Sequence, residues 1–175
     1  MKISQSHTMR ASRPRPGESM ILFRIGGMSF AIAAHAIEEI RELGELQEFK
    51  FSASHEKLAK VKHIFERNGR SYFVVDAAAQ FGVADARPTR LLVLQHAPAA
   101  VLVDAIDRMQ DIYSIQELSS AFCGEERSWY RGLTVVRGRV LPVVRPEALL
   151  SKAEATLLGA MLRSGRSATS MAVMA

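Results

Sequence analysis

Few residues in this chain are spaced for chemistry. The acidic pairs Glu38/Glu39 and Asp104/Asp107 are the candidates for acid–base work, in which one carboxyl gives a proton and another takes one. Both pairs stand in segments that read as short amphipathic helices, on outer faces flanked by other charges, where a carboxylate is simply solvated. The five histidines, His7, His35, His55, His63 and His96, include no pair four residues apart and have no cysteine companions, so no zinc-ligand pattern emerges. Cys123 is the sole cysteine. It leaves no intrachain disulfide and reads as a small, partly buried apolar side chain rather than a nucleophile. No GxGxxG, GxxxxGK(S/T) or GxSxG run occurs, and Gly26-Gly27 reads as a turn. The expectation is a protein without catalytic residues, metal site or cofactor.

The charge distribution narrows the class further. The net charge of +5 and pI near 9.7 suggest an anionic partner. Residues 1–17 hold four basic and no acidic residues, however, and 152–175 hold three basic residues against Glu154. That leaves 16 basic and 17 acidic residues in 18–151. A nucleic-acid binder concentrates Lys and Arg on its folded face, and this body does not. No apolar h-region occupies the first 19 residues and no apolar run is long enough to span a bilayer, so a cytoplasmic protein without membrane insertion is expected.

The elements that must position any site are mostly strands. After a polar, basic stretch over 1–19, read as a disordered tail, "MILFRIGGMSFAI" reads as a hairpin about Gly26-Gly27. "AAHAIEEIREL" then changes period, with Ala33, Ala36, Ile37 and Ile40 on one side, and reads as a short helix. The same order recurs 69 residues later. Ile25 aligns with Leu94, Ile32 with Val101, Ile37 with Ile106, Glu38 with Asp107 and Ile40 with Met109. Without a gap, Ile64 then aligns with Leu133, Gly69 with Gly138, Arg70 with Arg139 and Val74 with Val143. Asn68-Gly69 and Arg137-Gly138 take the same place in two further hairpins. A unit of this size is marginal alone and gains a core by packing on its twin. Two small β-barrels related by a pseudo-twofold follow, in units of roughly 20–88 and 89–150. A C-terminal helix over 147–163 packs back on them, and 164–175 read as a frayed tail.

The order of "ILFRIGGMSFAIAAHAIEEIREL", "FVVDAAAQFGV", "AVLVDAIDRMQDI", "YRGLTVVRGRVLPVV" and "RPEALLSKAEATLL" resembles the CheW coupling proteins of bacterial chemosensory arrays, over about residues 20–160. The resemblance implies a mainly β fold of two five-stranded SH3-like barrels with short helices and a C-terminal helix. It implies a non-enzymatic adaptor that binds two partners: the regulatory domain of a CheA-like histidine kinase, and the cytoplasmic tip of methyl-accepting chemoreceptors at membrane arrays. Matching positions for partner contacts are Ile37, Glu39 and Ile40, then Val103, Asp104 and Ile106. The three isoleucines are equally natural as core, and Glu39 and Asp104 as helix-capping or solvated carboxylates.

The chain also departs from the family pattern. Where members close the first unit with a segment like G-V-x-N-L-R-G-x-x-x-P-V-x-D, this chain has "HIFERNGRSYFVVD". His63 stands for the glycine, Asn68 for the arginine and Phe73 for the proline. Asn68 is a poor substitute for a guanidinium that clamps carboxylates. Gly132, Arg137, Gly138 and Pro142 carry that spacing in the second unit instead, so Arg137 is either a partner-contacting arginine or a solvated turn residue. Two other readings stand beside the adaptor: an interaction module whose partner surface has changed, and nucleic-acid binding through the basic tails.

Overall fold

The computed structural model describes residues 16–49 and 58–173, with side chains described to residue 164. Most of the expected N-terminal tail, and residues 50–57 of the first unit, therefore lie outside the described residues. Strand β1 (Glu18–Ile25) starts two residues inside that tail. It turns through Gly26 and Gly27, at φ +54° and +80°, into β2 (Met28–Ala33). Consecutive positive φ values give the turn whose twist matches antiparallel strands.

The segment read as a helix is not one. Only Ala34–Ala36 form a 3-10 turn, and Ile37–Glu42 are strand β3. The copy around Asp104 behaves likewise, within β8 (Ala99–Val103) and β9 (Ala105–Ile112). Charged residues on the inward face of β3 produced the false helical period. Glu39 and Arg41 point toward the barrel, where they meet Arg67 and the ring of Phe65, while Ile40 points out.

The remaining elements are β4 (Gln47–Glu48), β5 (Val61–Arg67), β6 (Arg70–Asp76), α1 (Ala77–Phe81), β7 (Arg90–Leu94), α2 (Glu126–Trp129), β10 (Tyr130–Val136), β11 (Arg139–Val144), α3 (Pro146–Leu149) and α4 (Lys152–Val173). They make two sheets, ordered β10-β11-β2-β1-β9 and β3-β7-β8-β6-β5-β4. The sequence units 20–88 and 89–150 are thus repeats but not separate sheets, because each lends its first hairpin to the other. We call the sheet containing the first and last strands the terminal barrel, and that of β3–β8 the central barrel.

Both sheets close at matching places. Gln47 pairs with Ile64 across β4 and β5, and Gln116 pairs with Leu133, both partners shifted by 69. The central barrel is five-stranded once β3 and β4 are taken as one bent strand. A bulge skips Glu38 on β3 and Asp107 on β9, and another skips Lys62 on β5 and Arg131 on β10. Gly132 permits the terminal closure, since a Cβ there would collide with the Gln116 carbonyl. The buried Thr134 hydroxyl donates to the Ser114 carbonyl at 2.9 Å beside it.

One alignment needs correction. Leu94 matches Phe23, not Ile25, because Leu94 pairs with Ile37 where Phe23 pairs with Ile106. The β7–β8 hairpin is therefore shorter than β1–β2 by two residues.

Alternation sorts the core into three parts. Met20, Leu22, Ala31, Val136, Leu141 and Val143 fill the terminal barrel, and Phe65, Tyr72, Val74, Leu91, Val93 and Ala100 the central one. The largest cluster lies between them, where Phe23 stacks on Phe30 at 5.6 Å and Phe30 on Phe81 at 5.3 Å. Leu149 and Leu158 from the C-terminal helices join it.

The expected helix over 147–163 is two helices, broken at Leu150, whose φ of −144° is extended. The break lets the adjacent Leu149 and Leu150 both be buried. The backbone of α4 continues to Val173, past the end expected at 163 and through the stretch read as frayed. Ser151 starts α4 with a capping box: its amide donates to Glu154 Oε2 at 2.7 Å, and its hydroxyl accepts from the Glu154 amide at 3.2 Å. Burial pushes the Glu154 carboxyl up, but the Ser151 amide and the Lys60 ammonium, 3.0 Å away, outweigh it and hold the carboxyl below its ordinary value.

Candidate functional site

The structure divides the candidate residues into three groups. Ile37, Glu39 and Ile40 lie on β3, and Asn68 occupies the β5–β6 turn at φ +49°. These meet at one end of the central barrel through a residue that motif reading passed over. Arg67 Nη1 lies 2.7 Å from Glu39 Oε2 and 3.1 Å from Glu38 Oε1, closing the seam between β5 and β3. Its position one residue before Asn68 was the available signal. Ile40 is 42% exposed beside this cluster, whereas Ile37 packs against the inter-barrel core.

Val103, Asp104 and Ile106 form the second group and sit deeper. Val103 is fully buried and Ile106 packs on the inter-barrel core. Asp104 binds backbone: Gly26 donates to Oδ2 at 2.7 Å and Arg87 to Oδ1 at 2.9 Å, while its own amide donates to the Arg24 carbonyl. It neither caps a helix nor is freely solvated, as the helical reading had it; it anchors the tip of the first hairpin. Gly26 must be glycine there, because any Cβ would meet the Ala84 carbonyl and Val83.

Arg137 is apart from both groups, in the β10–β11 turn at φ +50° on the terminal barrel. An L side chain in that region costs about 1–2 kcal/mol, which asparagine tolerates better than arginine. Cys123 is exposed rather than partly buried.

Where the longer first hairpin docks its tip, the shorter second one leaves space. A cleft of about 650 Å³ lies between the 95–98 turn, β11 and the start of α4, with His35, His96, Arg131, Val143, Leu150 and Lys152 among its walls. A second, of about 460 Å³, lies on the other side of the same turn and reaches Glu38 and Tyr72. His35 stands where the repeat places Asp104 in the filled half. The clefts offer an apolar floor with polar edges, suited to a peptide or helix end. Among the described residues, no group of three or more His, Cys, Asp or Glu could hold a metal ion, and no helix is long and apolar enough to cross a membrane.

Two exchanged, five-stranded barrels around a shared core, with open clefts on both sides of the 95–98 turn and another of about 470 Å³ at the terminal barrel's closure, have the architecture of a CheW-like scaffold. The CheW-like domain family matches residues 19–154, and the chain belongs to that family of scaffolding and coupling proteins. Among solved structures it is similar to the scaffolding protein TtCheW from Thermoanaerobacter tengcongensis, with a TM-score of 0.66 and 12% identity over 87% of this chain and 99% of that one. None of the curated proteins matches it.

Proposed function

We propose that the protein is a non-enzymatic adaptor that couples chemoreceptors to a CheA-type histidine kinase, recruited from the cytoplasm to membrane receptor arrays. The observation that supports this most is the open cleft around the 95–98 turn, adjoining the Glu38–Glu39–Arg67 cluster, in a chain of the CheW-like family. Ile40 offers apolar contact area and Glu39 a fixed carboxylate to a helical receptor tip. Ile37, Val103 and Ile106 act from beneath by setting the strand positions, and Asp104 by fixing the first hairpin. Arg67, paired with Glu38 and Glu39, fixes this edge, and Asn68 presents its amide at the turn in place of a guanidinium. Arg137, held at a conformational cost, serves a partner on the terminal barrel.

Co-purification tests the proposal. The full chain should retain the kinase regulatory domain and a receptor signalling fragment from the same genome. Clean failure with both would contradict it.

A further inference from the structure

The repeat allows the two barrel ends to be compared residue by residue. Glu39, Arg67, Asn68 and Arg70 of the central barrel correspond to Arg108, Val136, Arg137 and Arg139 of the terminal barrel. In the central barrel the inward acid Glu39 meets Arg67 at 2.7 Å, an ion pair made within the chain although Glu39 Oε2 lacks hydrogen-bond geometry. In the terminal barrel the inward residue is the base Arg108, and an apolar, buried Val136 stands where its counter-charge would be. Arg108 sits opposite Leu22 in the β1–β9 register, and Leu22 shares a core cluster with Val136. Arg108 Nε is enclosed by protein and finds no acceptor. The neighbouring acid, Asp107, is already engaged by Arg24 at 2.8 Å. Among the described residues, Arg108, Arg137 and Arg139 have no ion pair.

We propose that this end of the terminal barrel receives a carboxylate from a protein partner: an Asp or Glu side chain on an acidic segment that sits over Val136 and pairs with Arg108. It is the Glu39–Arg67 contact with the charges reversed and one half supplied from outside. A partly buried guanidinium with an unused donor is costly until an acceptor arrives, and its planar fork suits a carboxylate. Arg137 and Arg139, exposed beside it, add positive charge that steers an acidic partner and repels a basic one. This deepens the adaptor reading, since it assigns a charge to the partner surface at Arg137.

Two measurements test it. Isothermal titration of the full chain with the kinase regulatory domain and with the receptor fragment should show roughly tenfold weaker binding of one partner by Arg108→Gln, and a larger loss by Arg108→Glu, with folding checked by circular dichroism. Wild-type affinity of both variants for both partners would overturn the proposal. If the wild-type chain binds neither partner, the adaptor reading fails and the second measurement decides alone. In nitrogen-15 spectra, an acetylated tetraglutamate peptide at millimolar concentration should shift the Arg108 Nε–Hε signal saturably, and salt should reverse the shift. The Leu22 and Val136 amides should move with it in the wild type but not in Arg108→Gln. No shift, or tighter binding of a short oligonucleotide of equal charge, overturns the carboxylate assignment.

Discussion

The first hairpin of each repeat reaches into the other repeat's barrel, but the two hairpins end differently. The β1–β2 tip is longer and glycine-paired, and Asp104 grips it by two backbone contacts, to the Gly26 amide and the Arg24 carbonyl, so the space beneath it is filled. The β7–β8 tip is shorter, His35 replaces the gripping aspartate, and a cleft remains. One fold repeated within one chain has thus made a closed, structural side and an open one. The difference comes from two residues of hairpin length and one change of side-chain charge.

Substitutions at paired positions can break this comparison, and the largest effect is expected at the closed tip. Gly26→Ala should lower unfolding free energy by about 3 kcal/mol, combining a positive φ with a backbone collision, as read by urea denaturation. Gly27→Ala, with open space around its Cβ, should cost only about 1 kcal/mol. Asp104→Ala should cost about 2 kcal/mol by leaving two amides without their acceptor. His35→Ala, its counterpart at the open tip, should stay within about 0.5 kcal/mol of the parent in the same assay. Equal losses at Asp104 and His35 would remove the distinction between the tips.

Smaller effects sharpen it. Arg137→Asn should raise stability by about 0.5–1 kcal/mol, since asparagine relieves the left-handed turn, while weakening partner binding. A gain in stability with unchanged binding would make Arg137 a plain turn residue. Glu154 has its folded-state pKa lowered, so its stabilising contribution is present above the unfolded value and fades as pH falls through the folded one. The acid limb of a stability–pH curve should therefore flatten slightly in Glu154→Gln.

The repeat was the most legible feature of the sequence. Its offset of 69 recovers both barrel closures and both pairs of bulges, because strand pairing fixes register and register preserves spacing. It misplaced β1 only, since a change in hairpin length shifts a strand without disturbing its apolar alternation. The helical reading of "AIEEIREL" failed for an electrostatic reason. Glu39 and Arg41 face a barrel mouth where ion-pair and aromatic partners await them, and hydrophobic periodicity is blind to paired charge. The exchange of hairpins between units was not legible either, because identical local patterns pair equally well within a unit or across units. The roles of Asp104 and Arg67 depend on backbone and side-chain partners 17 to 78 residues away, which no motif records.

The most direct test of the account is to map a receptor signalling fragment on the assigned amide spectrum of the full chain. Shifts should concentrate at Gln95–His96, on β3 from Ile37 to Ile40, and at Arg67–Asn68, with the Gly26–Gly27 tip and its Asp104 anchor silent. Binding centred on the Gly26–Gly27 tip, or no binding, would contradict the account.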